Sequence, residues 1–352
     1  MISSKIVFSF MLLVSSFASA TAEEYIVSPK MIPFAFGKKE FSVKKLTEAE
    51  AKDLGGQGFN IEKNSTVNIP GFESKETHIL GEVVWPIGVI KADQAHKLEN
   101  GRGKNVKICL IDTGINKKHP LVGSAILEGK SFVEGTEPSD ISDSFLDHGT
   151  LVASLIVGRA HESFIGVAPE AQLIVAKAFA ENGSSSMLQI LNAFQYCMEK
   201  SNIINMSFGG GGSSPALSEL MTQAHAKGIT LVAASGNSPG LLSYPANDPA
   251  VIAVSFVNEN GQTSPYSPTD SRISFVAPGI DIPVLNAALE TKMLSGSSFS
   301  AAIVSGVEAI RRSRGAKSLV ATPLPLPEDQ QGHGLIDALA TALNLNHLAS
   351  SN

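Results

Sequence analysis

Five short, largely apolar runs constrain the fold of this chain most: Val106–Ile111, Leu173–Ala178, Ile203–Met206, Ile229–Ala234 and Val251–Phe256. They lack the alternation of a half-exposed strand and are too short for typical helices, so they fit strands covered on both faces. The segments between them carry helix signals. One opens with Ser214 as N-cap and Pro215 in the first turn, repeats Leu217, Leu220, Met221 and Ala224 at helical spacing, and stops at Gly228. Strands alternating with helices imply an α/β fold with a mostly parallel central sheet. At 352 residues and 43% hydrophobic, the chain can build one large core plus a small accessory domain.

Residues 1–20 read as an export signal. Lys5 supplies a positive start, Ile6 to Phe17 is a short apolar run, and Ala18-Ser19-Ala20 is a small-x-small cleavage site. The run is too short for a membrane anchor, so the expectation is a secreted protein, extracellular or periplasmic, with no membrane partner. Residues 21–75 form a small mixed unit. It has a strand around Tyr25–Val27, a helix over Leu46–Leu54 ended by Gly55-Gly56, and a second strand over Phe59 to Val67. A core this small is marginal alone and gains stability by docking. Residues 76–352 form the main domain. Near its end Pro323, Pro325 and Pro327 exclude a helix and predict an extended surface strap. The net charge of −6 comes with no Lys/Arg block, which argues against nucleic acid as a partner. Asn64-Ser65-Thr66 matches a glycosylation acceptor, a pattern too common to carry a function.

Export permits a disulfide. Yet Cys109 lies inside a strand-like run, and Cys197 lies on an apolar helix face with Met187, Ile190, Leu191 and Phe194. The reading favoured by those settings is two buried free thiols. Neither has the charged or glycine-rich surroundings of a nucleophile.

Chemistry concentrates in four segments. Leu110-Ile111-Asp112-Thr113-Gly114 puts a carboxylate at the C-terminal end of a strand, where open α/β sheets place their sites. His148 opens the helical run Leu151–Val157, and Ser298 opens another that contains Ala302, Ile303, Val307 and Ile310. Helix N-termini offer unpaired N–H groups and a positive dipole end to developing negative charge. Ala233-Ala234-Ser235-Gly236-Asn237 ends a buried strand in a turn and an amide able to donate to an oxyanion. A nucleophile, a base and an orienting carboxylate are what acyl-bond hydrolysis requires.

From Trp85 onward the chain resembles the subtilisin-like serine proteases, the subtilases. The matching pieces run in order: Val106 to Gly114, His148-Gly149-Thr150, Gly166-Val167-Ala168-Pro169, Ile204 to Gly210, Ser235-Gly236-Asn237, Tyr244-Pro245-Ala246, Val276-Ala277-Pro278-Gly279, Gly296-Ser297-Ser298 with Val304-Ser305-Gly306, and Gly332 to Ala338. The resemblance implies a three-layer subtilisin-like α/β fold preceded by a small α+β propeptide. It implies a secreted, self-processing serine endopeptidase in which Ser298 attacks, His148 takes the proton and Asp112 orients His148. Asn237 would serve the oxyanion hole, and Ser207, Phe208 and Gly209 would bind extended substrate as a neighbouring strand. The partners implied are a protein or peptide substrate and the chain's own propeptide, residues 21–75, with the mature chain starting between Gly71 and Trp85. Of the four serines Ser295, Ser297, Ser298 and Ser300, the register to Val304-Ser305-Gly306 selects Ser298.

The chain also departs from the family's pattern. Asp147 replaces a glycine before the histidine, and its carboxylate is expected to face solvent. Leu151 replaces a second histidine, Phe299 a methionine, Ala302 a proline, and Ser297 stands where threonine is more frequent. No cofactor is required. Structural calcium is a candidate at the acidic loop with Glu134, Glu137, Asp140 and Asp143, whose spacing matches no defined motif. His78, His96, His119, His161, His225, His333 and His347 form no ligand pair and are expected in surface or packing roles. Asp112-Thr113-Gly114 also matches an aspartic-protease loop, but that chemistry needs a second copy. A lipase-type site needs the order Ser, Asp, His, the reverse of this one. Two alternatives keep the fold and change the role: acyl transfer to an amine, ligating or cyclising peptides, and a catalytically inactive binding protein.

Overall fold

The computed structural model describes residues 21–29, 40–76, 85–143, 147–159 and 164–345. The expected export signal lies outside them, as do His78, His161 and His347. A small antiparallel sheet comes first, with β1 (Glu23–Pro29) central between β2 (Ser42–Leu46) and β3 (Phe59–Lys63). Helix α1 (Glu48–Gly56) connects β2 to β3. Its N-cap Thr47 and third residue Glu50 form a reciprocal capping box that satisfies two otherwise unpaired N–H groups. The strand expected over Phe59 to Val67 is two strands. After β3 the chain turns at Asn64-Ser65 and begins β4 (Thr66–Asn68) in a different sheet. The turn is held from afar: Leu188 N–H donates to Asn64 Oδ1 at 3.1 Å and Met187 N–H to Ser65 O at 2.8 Å. Strand β5 (Glu73–Glu76) follows.

Helices α2 (Trp85–Val89) and α3 (Ala92–Ala95) lead into the main domain. There β6 (Lys107–Asp112) and β7 (Ile126–Ser131) precede α4 (His148–Val157). Next come β8 (Gln172–Lys177), β9 (Ser184–Ser186), α5 (Met187–Lys200), β10 (Ile203–Met206), α6 (Pro215–Ala226), β11 (Thr230–Ala234) and β12 (Ile252–Val257). After β13 (Phe275–Pro278), β14 (Ile282–Leu285) and β15 (Thr291–Ser295) form a ribbon that leads to α7 (Ser297–Arg314). β16 (Ala321–Thr322), α8 (Glu328–Gln331), β17 (Leu335–Ile336) and α9 (Ala338–Ala342) complete the described chain.

The central sheet has nine strands in the order β16-β17-β13-β12-β11-β10-β6-β8-β7, parallel except at the β16–β17 edge. All five apolar runs read from the sequence supply strands of this sheet. Alternate side chains serve two cores. Ile108, Leu110, Val175, Val232 and Ala234 pack with α4 and α7 on one face. Cys109, Ile111, Ile174, Leu231 and Ala233 pack with α5 and α6 on the other. Helix, sheet, helix is the expected three-layer architecture. Helix α6 begins at the expected cap, Ser214, whose hydroxyl accepts from Leu217 N–H at 3.0 Å. Residues 323–327 are non-helical as the prolines require.

The free-thiol reading is wrong. Cys109 and Cys197 form a disulfide with Cα atoms 5.5 Å apart, and both are wholly buried. Each thiol does sit in apolar surroundings. What no local pattern contains is that α5 lies across β6, so that its Cys197 face meets the Cys109 face of the strand.

Candidate active site

Asp112 ends β6, next to the point where β6 and β8 part. Its Oδ1 accepts from Thr113 N–H at 2.8 Å and from His148 Nδ1 at 2.7 Å. The carboxylate can only accept there, so Nδ1 carries the proton and Nε2 is left as the basic nitrogen. Both residues are buried, and His148 Nε2 has no hydrogen-bond partner among the described residues. The two motifs interlock tightly. A Cβ on Gly149 would lie 2.2 Å from Gly114 O, so only glycine fits beside the aspartate turn. Asp147 has φ 57°, the left-handed region that glycine adopts most readily, and its side chain is exposed as expected. Leu151 is a buried core residue.

Ser298 is the second residue of α7, where backbone N–H groups have no partner within the helix. Its hydroxyl donates to Ser207 O at 3.2 Å. The strand and the helix are joined through a buried polar chain. Ser305 Oγ donates to Asn205 Oδ1 at 2.9 Å, Asn205 Nδ2 to Ser207 Oγ at 2.9 Å, and Ser207 Oγ to Ser298 O at 2.9 Å. Ser300 points away from the cleft and bonds Ala277 O and Pro278 O. Ser295 Oγ accepts from Asp281 N–H at 2.9 Å.

Ser297 is a site residue whose role the sequence did not disclose. Its N–H and hydroxyl both donate to Asn237 Oδ1, at 2.8 and 2.7 Å, and the hydroxyl accepts from Gly236 N–H at 3.1 Å. Those donors turn the Asn237 amide so that Nδ2 faces the cleft. The only available signal was chemical: serine keeps the hydroxyl of the more usual threonine. Asp143, which the sequence presents only as part of an acidic loop, is a second such residue. It accepts from Thr113 Oγ1 at 2.7 Å and from Thr150 N–H and Oγ1 at 2.8 and 2.6 Å, so it braces the aspartate turn against the histidine helix. Burial pushes its carboxyl upward, those hydrogen bonds oppose the shift, and nearby Asp112 adds to it.

The cleft is occupied by the chain's own residues 66–76. β4 pairs antiparallel with β9, with Val67 opposite Ser185. On its other side Asn68 bridges Gly209, whose N–H donates to Asn68 O at 3.1 Å, and Ile69 N–H donates to Gly183 O at 2.9 Å. Gly71 O accepts from Asn237 Nδ2 at 2.7 Å. The Phe72 ring rests on His148, and β5 then pairs with β15, Glu73 opposite Ser295. Of the expected substrate-binding residues Ser207, Phe208 and Gly209, the bridge to this segment is at Gly209.

A model described as the Subtilase family matches residues 103–324. The chain belongs to the subtilase family. Its similarity to the major intracellular serine protease of Bacillus subtilis (strain 168) is 35% identity over 256 residues, 70% of this chain and 80% of that protein. To subtilisin E of the same organism it is 33% identical over 252 residues, 68% of this chain and 65% of that protein. To subtilisin DY of Bacillus licheniformis it is 31% identical over 239 residues, 66% of this chain and 85% of that one. This subtilase is accordingly a subtilisin-like serine protease, a class that needs no organic cofactor.

Among the described residues of the subtilase no group of three His, Cys, Asp or Glu is placed to hold a metal ion. In the acidic loop Asp140 accepts from Ser142 N–H and Oγ, and Asp143 is turned inward. His96 Nε2 and His119 Nε2 bond Val167 O and Leu285 O, packing roles in both cases. No helix among the described residues is long and apolar enough to cross a membrane.

Proposed function

We propose that this subtilase is an exported zymogen whose Asp112, His148 and Ser298 hydrolyse peptide bonds through an acyl-enzyme, and whose residues 21–71 are a propeptide that occupies the cleft until it is cut away. Ser298 Oγ leaves its bond to Ser207 O, passes its proton to His148 Nε2 and attacks the substrate carbonyl. Asp112 keeps Nδ1 protonated and steadies the imidazolium that forms. The developing oxyanion is met by Asn237 Nδ2 and Ser298 N–H. His148 then protonates the leaving amine, and water releases the acyl group by the reverse sequence.

One observation carries this reading: Asn237 Nδ2 donates to Gly71 O at 2.7 Å, with Asn68 laid along Gly209 on one side and Glu73 on Ser295 on the other. A carbonyl in that place is the one to be attacked, so Gly71–Phe72 is proposed as the bond cut on maturation. The docked unit supplies further support. Glu62 accepts from Ser214 Oγ at 2.6 Å and from Ala216 N–H at 3.0 Å, a carboxylate on the N-terminus of α6. The test is a fluorophosphonate label followed by peptide mapping and sequencing of the new N-terminus. Label on Ser298 and a chain starting at Phe72 are expected. A Ser298→Ala chain that still processes itself completely would remove Ser298 as nucleophile. Product masses in the presence of added amine decide between hydrolysis and transfer.

A further inference from the structure

Phe72 is held by both neighbours. Gly71 is fixed at Asn237 and Glu73 at Ser295, so the backbone leaves its side chain one direction. Along that direction lies an aromatic seat. The Phe72 ring is 5.2 Å from the His148 ring, tilted by 52°, and 5.5 Å from Phe299 in an edge arrangement of 86°. Phe299 and His148 are 5.9 Å apart, so the three rings are mutually packed. Phe299 is wholly buried, while Phe72 is half-buried and leans on the same core. Next to it, a Cβ on Gly71 would meet nothing within 4 Å. The side chain before the proposed bond is thus loosely specified, and the one after it is gripped.

We propose that Phe299, with the face of His148, forms a subsite for an aromatic side chain immediately after the scissile bond. The favoured substrates are then extended peptides with Phe, Tyr or Trp at that position, and Phe72 is the chain's own resident. This rests on the reading of Ser298 as nucleophile and Gly71–Phe72 as the bond cut. The physical basis is twofold. A ring buries more apolar surface than a small side chain, and edge contacts with Phe299 reward a ring over an aliphatic group of similar size. Phe299 is a specificity residue here and takes no part in bond-making.

The experiment uses the matured full chain with three quenched peptides that copy residues 67–74, carrying Phe72, Phe72→Leu or Phe72→Ala. The expected order of kcat/KM is Phe over Leu by about threefold and Phe over Ala by about tenfold or more. Phe299→Leu removes the ring and offers no sulfur to contact a substrate ring in its place, so the Phe-to-Leu ratio is expected to fall to about 1. These ratios are internal to each preparation, so partial folding of the variant does not affect them. A parent ratio near 1, or one unchanged in Phe299→Leu, overturns the subsite. If Phe299→Leu yields no folded protein, Phe72→Leu and Phe72→Ala in the full chain give the same test. Self-processing should slow in that order, and equal rates overturn the proposal. Fluorophosphonate labelling of Ser298 with equal cleavage of all three peptides sinks the subsite alone. No label and no cleavage sinks the protease reading with it.

Discussion

The disulfide between Cys109 and Cys197 can be tested quantitatively, because it closes a loop with a sequence separation of 88. In the chain-entropy view, closing it removes about 15 cal/mol/K from the unfolded ensemble, or about 4.6 kcal/mol at ~25 °C. Both sulfurs are wholly buried between β6 and α5, so replacing each cysteine by alanine costs about 1 kcal/mol more in lost packing. The two kinds of loss combine differently. Either single substitution already opens the loop, so Cys109→Ala or Cys197→Ala should destabilise by about 5–6 kcal/mol. The double variant then loses only about 1 kcal/mol beyond a single one. Additive behaviour would instead give about 11 kcal/mol for the pair. The assay is guanidinium unfolding in a Ser298→Ala background, which prevents self-digestion, with thiol titration of the denatured parent in the absence of reductant. No titratable thiol and strong non-additivity are expected. Two thiols per chain, or single variants that each lose about 1 kcal/mol and add, would refute the cross-link and restore the reading of two separate buried thiols.

Three other outcomes follow from the site and its supports. Asn237→Ala removes the Nδ2 donor at Gly71 O and should lower turnover by about 10²–10³, the loss known for an oxyanion-hole asparagine in a subtilisin, with KM changed far less. A matching rise in KM with turnover unchanged would place Asn237 in ground-state binding. Glu62→Ala deletes two hydrogen bonds to the start of α6 and should loosen the cleaved propeptide roughly tenfold, so that activity follows processing with a shorter lag. An unchanged lag would mean that release is governed elsewhere. Arg272 beside Asp270 holds that carboxyl down to about 2, and Asp270 also accepts from Leu242 N–H. A depressed carboxylate stabilises the fold above the ordinary range of about 4 and loses that contribution as pH falls through about 2. Arg272 is half-exposed, so the contribution is about 1 kcal/mol after screening, and Asp270→Asn should flatten the acid limb of the stability curve by that much without altering it near neutrality in shape. An acid limb identical in parent and variant would contradict this.

Much of the architecture was legible because it is local or periodic. The runs around Ile108 and Val232 declared buried strands by composition alone, and the cap, proline and glycine of α6 marked both of its ends. Asp112, His148, Asn237 and Ser298 stood out because each ends a strand or opens a helix, where chemistry is accessible. What remained hidden depends on contacts between distant segments. The break between β3 and β4 is fixed by Leu188 and Met187, more than 120 residues on in sequence, as the separation of Asn64 and Leu188 by 124 shows. The disulfide required knowing which helix lies on which strand. The roles of Ser297 and Asp143 required knowing where a hydroxyl and a carboxylate point. In each case the residue type was visible and its partner was not.

The buried run from Ser305 through Asn205 and Ser207 to the backbone of Ser298 has a mechanical consequence. The edge proposed to hold an incoming peptide and the helix that carries Ser298 are fastened by hydrogen bonds of 2.9 Å, with no loop between them to stretch. A peptide that seats along Gly209 would therefore be gauged against Ser298 through this short chain of hydrogen bonds. Slipping by one residue would put a different carbonyl over the hydroxyl and would not put the same carbonyl slightly out of reach. Cutting position would then be set in whole-residue steps, and errors would surface as discrete neighbouring products.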